Sequence, residues 1–205
     1  MSRGTLCQRV VETISYAVAS GLKVCFVEVD STHADAGFLE EVIRKAVDAG
    51  ASETPIVDTL GVASPEAAAL MVGRARKWLG SDLPIHWHGH SDFGLATAAE
   101  IAAGRAGATW VQGTVNGMGE RAGNASLDEV AMALEVLYRV PTNLGMERLL
   151  GVSALVQERS GYVRDRWKPL TGEALCARES GAAASQLHGL PAIEPYAPEV
   201  VGARR

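Results

Sequence analysis

The chain has 205 residues with 19 basic and 24 acidic side chains, a formal net charge of -5, and 47% apolar residues. The apolar fraction excludes a disordered chain, and the mild acidity excludes a dedicated nucleic-acid binder, which needs a basic stripe to displace counterions from phosphates. No apolar run reaches the roughly 18 residues of a membrane span, and the opening MSRGTLCQRVVE lacks the plan of a signal peptide. Three scattered cysteines (Cys7, Cys25, Cys176) form neither a disulfide framework nor a CxxC site. The expectation is a soluble, cytoplasmic protein of one domain with a small appendage, without nucleic-acid or membrane partners.

RVVETISYAVASG (9–21) predicts a first helix feeding KVCFVEV (23–29), a β-branched and aromatic run that predicts a buried strand. FLEEVIRKAVDAG (38–50) then spaces Leu39, Val42, Ile43, Ala46 and Val47 at helical intervals, with Gly50 as the stop. TPIVD (54–58) is the second strand. A helix follows, capped by Ser64, with Pro65 at its first position, where a missing N–H costs nothing. LPIHWHGH (83–90) with a helix near 95–106, and ATWVQGTV (108–115) with a helix over 126–138, complete the cycle. Ser126 and Glu129 have the spacing of a capping box.

The pattern is α(βα)4 over residues 1–140, which implies a parallel sheet covered by helices. No G-x-G-x-x-G turn follows a strand, and Asp30, Asp58, His88, His90 and Asn116 all fall at strand C-terminal ends, the rim on which barrel enzymes keep their chemistry. A whole barrel takes about 250 residues. The fold class expected is therefore α/β, half of a (β/α)8 TIM barrel comprising its last four βα units. Residues 141–205, with a helix near 146–159 and many turn residues after it, form a small C-terminal linker and lid segment.

Three of the five histidines crowd into His86-Trp87-His88-Gly89-His90. Strand alternation turns all three imidazoles, with Asp92, to one side, the barrel interior. Polar rings in a packed interior need a polar partner, and a divalent metal is the obvious one. Spacing alone leaves open which two of the three bind. An all-histidine set suits zinc, whereas two histidines with oxygen ligands suit magnesium, manganese or zinc. NGMGERAGN (116–124) uses its glycines to turn sharply past a strand and presents Asn116, Glu120, Arg121 and Asn124 from the rim. Glu120 and Arg121 there are the catalytic candidates, against the plainer reading of a surface ion pair. Thr59 in DTLG stands at a strand mouth, where its hydroxyl either donates to a substrate carboxylate or caps the next turn.

HGHSDFGLA (88–96), DTLG (58–61) and GTVNGMGERAGN (113–124) together resemble the metal-dependent acyltransferases that make isopropylmalate, homocitrate and citramalate, within the DRE-TIM metallolyase superfamily. KPLTGEALCARESG (168–181) is similar to the segment after the barrel in that family. The resemblance implies His88 and His90 as metal ligands with Asn124 as an oxygen ligand, His86 beside them as a supporting or packing residue, and Thr59 on the carboxylate of a 2-oxo acid. It implies a Claisen condensation of acetyl-CoA with a 2-oxo acid, helped by Mg, Mn or Zn.

The departures are informative. No RDG motif is present, so the acidic ligand and arginine of the family's first strand are expected from a complementary N-terminal half-barrel subunit. By this likeness the chain starts after the fourth barrel strand. The family's Glu–Asp pair reads Val29-Asp30, and its lid HESGIH reads Arg178-Glu179-Ser180-Gly181-Ala182-Ala183, with His188 further on. The leading expectation is a subunit of a split acyltransferase. The alternatives are a noncatalytic partner of a full-length synthase and a metal-dependent 2-oxo acid aldolase or lyase.

Overall fold

The computed structural model describes residues 1–177, 180–181 and 195–204, in two compact units, Met1–Ala125 and Ser126–Arg205. The lid positions Arg178, Glu179, Ala182, Ala183 and His188 lie outside the described residues.

In the first unit, β1 (Thr54–Asp58), β2 (Ile85–Gly89) and β3 (Trp110–Val111) form one sheet in the order β1-β2-β3, every pair parallel. Helices α1 (Arg3–Ala19), α2 (Ala36–Asp48), α3 (Pro65–Leu79) and α4 (Ala96–Arg105) alternate with them. From α2 to β3 the alternation read from sequence is present, with three of the four expected strands. Its helix boundaries follow local chemistry. Asp35 Oδ1 accepts the Phe38 N–H at 2.9 Å to start α2, and Ser64 Oγ accepts the Ala67 N–H at 3.2 Å to start α3, ahead of Pro65. Gly80, with φ 75°, closes α3. α1 starts earlier than expected because Ser2 accepts the Thr5 N–H at 3.1 Å and caps it.

The first expected strand differs. Residues 23–29 lie alongside β1 but form a single bridge, Cys25 to Glu53. Hydroxyls take the place of backbone rungs: Thr54 Oγ1 donates to the Phe26 carbonyl at 2.9 Å, and the Val57 N–H donates to Ser31 Oγ at 3.0 Å. Backbone bonds survive at either end, Phe26 N–H to Glu53 O and Ser31 N–H to Val57 O, both 3.0 Å. The chain is extended and in place without forming a continuous ladder.

The core lies between the sheet's outer face and the helices. Leu39, Val42 and Ile43 of α2, Ala68, Val72 and Ala75 of α3, and Ala99 and Ala103 of α4 pack on Ile56, Ile85 and Trp87, all buried. Glu28, facing the same side as Phe26, is buried beside Thr54, its Oε2 3.0 Å from the hydroxyl. Burial pushes its carboxyl up to about 8. The opposite sheet face carries His86, His88, Val27, Val29 and Trp110, and the last three are more than half exposed, at 56%, 74% and 57%. A parallel sheet normally buries both faces.

The second unit holds α5 (Leu127–Met132), a wider π-helical turn over Ala133–Leu137, a 3-10 turn at Met146–Arg148 and α6 (Leu149–Ser160). Ser126 precedes α5 as expected, but its side chain makes no cap bond to the helix. Ser126 Oγ bonds the carboxylate of Asp128 and the Nζ of Lys168, the latter at 2.7 Å, and Glu129 pairs with that same Nζ at 2.7 Å. A buried ammonium draws both capping side chains toward itself, because an unpaired buried charge costs more than a cap yields. Among the described residues, no helix is long and apolar enough to cross a membrane.

Candidate metal and substrate site

β1 and β2 run in register, Val57 beside His88 and Asp58 beside Gly89, so their C-terminal ends open on one rim. The alternation within β2 is clean: Ile85, Trp87 and Gly89 are buried, while His86 and His88 stand half-buried on the other face. His88 and His90 meet edge to face, ring centroids 5.3 Å apart. An antiparallel bridge joins His90 to Asn124, fixed by the Ser91 N–H on the Gly123 carbonyl at 2.8 Å. The NGMGERAGN loop therefore brings Asn124 onto the histidine strand, as the sequence implied.

Among the described residues, two polar atoms in this cluster are buried without a partner, His90 Nδ1 and Asn124 Oδ1. The Asn124 amide nitrogen donates to the Met118 carbonyl at 3.1 Å, which turns Oδ1 the other way. Buried acceptors seldom go unpaired, and an imidazole nitrogen beside an amide oxygen is a donor set that fits a divalent cation. Burial, and then the neighbouring His90, hold His88 below the usual imidazole range, while a hydrogen bond to Gln112 acts in the opposite direction. A neutral imidazole is the form that binds metal. No group of three or more His, Cys, Asp or Glu side chains that could hold a metal ion converges among the described residues.

Beside this cluster, Arg121 holds Asp92 with two bonds, Nε to Oδ1 at 2.9 Å and Nη2 to Oδ2 at 2.8 Å, and Nη2 reaches the Thr59 carbonyl at 2.7 Å. These bonds hold the Asp92 carboxyl below the usual range and push the Arg121 guanidinium up. Thr59 Oγ1 accepts the Asp30 N–H at 2.7 Å, leaving its own proton for another acceptor. Asp58 is buried and turned back into its own loop, accepting the N–H groups of Val62 (3.1 Å) and Ala63 (2.8 Å). Gly61 is required here: with φ 65°, a Cβ would meet the Asp92 N–H at 2.7 Å and the His90 carbonyl at 2.8 Å. The structure thus joins Thr59, Arg121 and Asp92 in one strut and His88, His90 and Asn124 in one cluster. Glu120 belongs to neither: its side chain is 82% exposed, 3.7 Å from Arg121.

Gln112 and Glu53, not singled out from sequence, also face this site. His86 Nε2 lies 3.2 Å from Glu53 Oε2, and its Nδ1 3.2 Å from Gln112 Nε2. Strand parity held the signal, since Gln112 follows Trp110 by two residues and Trp110 is the register partner of His86.

The HMGL-like family pattern matches residues 1–156, most of the chain. The chain belongs to the HMGL-like family. Among its relatives, the homocitrate synthase of Methanopyrus kandleri is 42% identical over 206 residues, covering 100% of this chain and 51% of that protein. The 2-isopropylmalate synthase of Methanocaldococcus jannaschii is 41% identical over 199 residues, covering 95% of this chain and 38% of that one. This HMGL-like chain thus spans about two fifths to one half of the length of the curated relatives it matches. The HMG-CoA lyase of Bacillus subtilis superposes with a TM-score of 0.69 at 20% identity, covering 78% of this chain and 57% of that chain. That likeness is one of fold, the α/β TIM-barrel type, of which three parallel strands form an open sheet in this chain.

Proposed function

We propose that this chain contributes the last four βα units, and one half of a metal-dependent active site, to an acyltransferase that condenses acetyl-CoA with a 2-oxo acid. The observation that carries the reading is the His88–His90–Asn124 cluster with its two orphaned buried atoms, in a chain about 40% identical to proteins named homocitrate and 2-isopropylmalate synthase. His88, His90 and Asn124 would hold a divalent cation such as Mg, Mn or Zn. Bound there, it would supply Lewis-acid polarisation of a keto oxygen. Thr59 donates its free hydroxyl proton to the 2-oxo acid's carboxylate. Arg121, with Glu120 at its outer side, steadies that threonine through the Thr59 carbonyl and keeps Asp92 ionised on the rim. Residues 1–140 serve as the half barrel and 141–205 as the linker and lid. The reaction takes place in the cytoplasm.

The remaining strands, with the missing acidic ligand, come from a complementary N-terminal half-barrel subunit. The exposed Val27, Val29 and Trp110 on that face support this, because a parallel sheet normally buries both faces.

The test is thiol release from acetyl-CoA across a panel of 2-oxo acids, with the full chain alone and mixed with the N-terminal barrel half of a full-length relative. Turnover is expected only in the mixture and is lost in H88A/H90A. Turnover by the chain alone, or a mixture that assembles and stays inert with every 2-oxo acid, overturns the reading. The second outcome favours the noncatalytic-partner alternative.

A further inference from the structure

We propose that Glu100 is a positioning residue for the 113–124 loop: by holding the Gln112 N–H it sets where the chain leaves the sheet, and with that where Asn124 stands. The inference rests on the proposed role of Asn124 as a metal ligand.

Glu100 sits in the middle of the stripe that α4 buries. Its neighbours there, Ala96, Ala99 and Ala103, are small and apolar, and Ala99 and Ala103 pack in the same cluster as Ile85 and Trp87. Glu100 itself is fully buried. Its Oε2 accepts the Gln112 N–H at 3.1 Å, and its Oε1 has no partner among the described residues. Burial pushes the carboxyl well above the usual range, which favours the neutral acid. An apolar side chain would fill the same space without the cost of burying a polar group. What the carboxyl adds is an acceptor at one backbone position.

That position is where β3 ends. β3 pairs with β2 at two residues, Trp110 with His86 and Val111 with Trp87. One rung further Gln112 would stand opposite His88, but the ladder stops and its N–H turns to the helix side. A parallel ladder runs on evenly spaced rungs, and a side-chain acceptor that takes one of them lets the strand leave without an unpaired N–H. From there the path to Asn124 is short. Thr114, two residues on, donates its N–H to the Ala125 carbonyl at 3.0 Å and closes the loop at its base. Asn124, next to Ala125, bridges to His90 and donates its own N–H to the Gly117 carbonyl at 3.0 Å. A shift of Gln112 is therefore passed through the Thr114–Ala125 pair to the candidate ligand.

The experiment is amide hydrogen exchange by NMR on the metal-free full chain, with urea unfolding and Co2+ titration of the same samples. E100M keeps the length of the side chain and removes the acceptor. Its urea midpoint is expected to stay at or above that of wild type. The Gln112, Thr114 and Asn124 amides exchange about 5-fold faster or more, as the loss of one hydrogen bond implies, and Co2+ binding weakens about 10–100-fold. E100Q, which keeps an acceptor and matches a neutral acid in shape, retains wild-type exchange and Co2+ affinity. E100D, an acid one methylene shorter, behaves as E100M and supplies the measurement if that variant fails to fold. Wild-type exchange at the three amides in E100M and E100D overturns the proposal. So does E100Q behaving as E100M, or a lower midpoint with faster exchange spread equally through β2. Loop amides that respond as expected in a chain that binds no Co2+ uphold the role of Glu100 and overturn the metal-site reading.

Discussion

Gly119→Ala tests whether the NGMGERAGN loop exists to aim Asn124. Gly119 does not need a left-handed backbone, so an alanine there costs nothing in conformation. Its Cβ would stand 2.9 Å from Asn124 Cγ and 3.2 Å from the Asn124 N–H nitrogen, with Nδ2 closer still. The backbone contact is tolerable after a small shift, whereas the amide must swing away and give up its 3.1 Å bond to the Met118 carbonyl. One neutral hydrogen bond is worth about 1 kcal/mol net, so folding stability falls by roughly that amount. The aim of Oδ1 is lost with the bond, and disturbing the support of a ligand typically weakens metal binding about 10–100-fold. Gly123→Ala is the contrast: at φ 88° its Cβ would run into the Gly117 carbonyl, a backbone atom that cannot rotate away, so that variant loses stability first. Urea unfolding and Co2+ titration of the full chain separate the two effects. G119A with wild-type Co2+ affinity, or with a stability loss as large as that of G123A, refutes the argument.

Two further outcomes follow from charge. Glu28 has a folded-state value of about 8 against an ordinary 4.5, so its contribution to stability is complete below pH 4.5 and lost as pH rises to 8, at up to about 1.36 kcal/mol per unit and on the order of 5 kcal/mol in all. Urea midpoints across pH 4.5–9 for wild type and E28Q should diverge over that window and run parallel above it, and parallel curves throughout refute the assignment. R121K removes the two-pronged grip on Asp92, and the Asp92 carboxyl should rise toward the ordinary range in a carbon NMR titration; an unmoved midpoint sinks the strut.

Much of this architecture was legible because its signals are local. Leu39, Val42, Ile43 and Ala46 fall on one face of α2 by spacing alone, and all four are buried. Ser64 and Pro65 state the start of α3 in two letters. The alternation of β2 placed His86 and His88 on one face without any tertiary knowledge. What stayed hidden depends on partners far along the chain. The strand at 23–29 has the right composition, but its ladder is interrupted by hydroxyls of Ser31 and Thr54, of which Thr54 lies 28 residues from the Phe26 carbonyl it bonds. Ser126 and Glu129 have capping-box spacing, yet Lys168, 42 residues from Ser126, claims both side chains. Gln112 carried no motif. Its contact with His86 is visible only once the register of β3 against β2 is known.

The rim holds three residues in unfavourable backbone conformations, and its own contacts account for them. Asp30, Asn116 and Arg121 hold φ values of 64°, 63° and 53°, in the left-handed region that non-glycine residues avoid. Each such position costs about 1–3 kcal/mol and persists only when its surroundings over-determine it. On this rim they do. Asp30 is held through its N–H on Thr59 Oγ1, and Arg121 through three bonds to Asp92 and Thr59. Asn116 is buried in a loop whose two ends are tied by Thr114 N–H to the Ala125 carbonyl at 3.0 Å and Asn124 N–H to the Gly117 carbonyl at 3.0 Å. The apolar contacts that outweigh this strain lie on the other side of the sheet, where Ile56, Ile85 and Trp87 meet the helices. The apolar core and the candidate site therefore lie on opposite faces of the same three strands, so polar residues on the site face cost the core nothing.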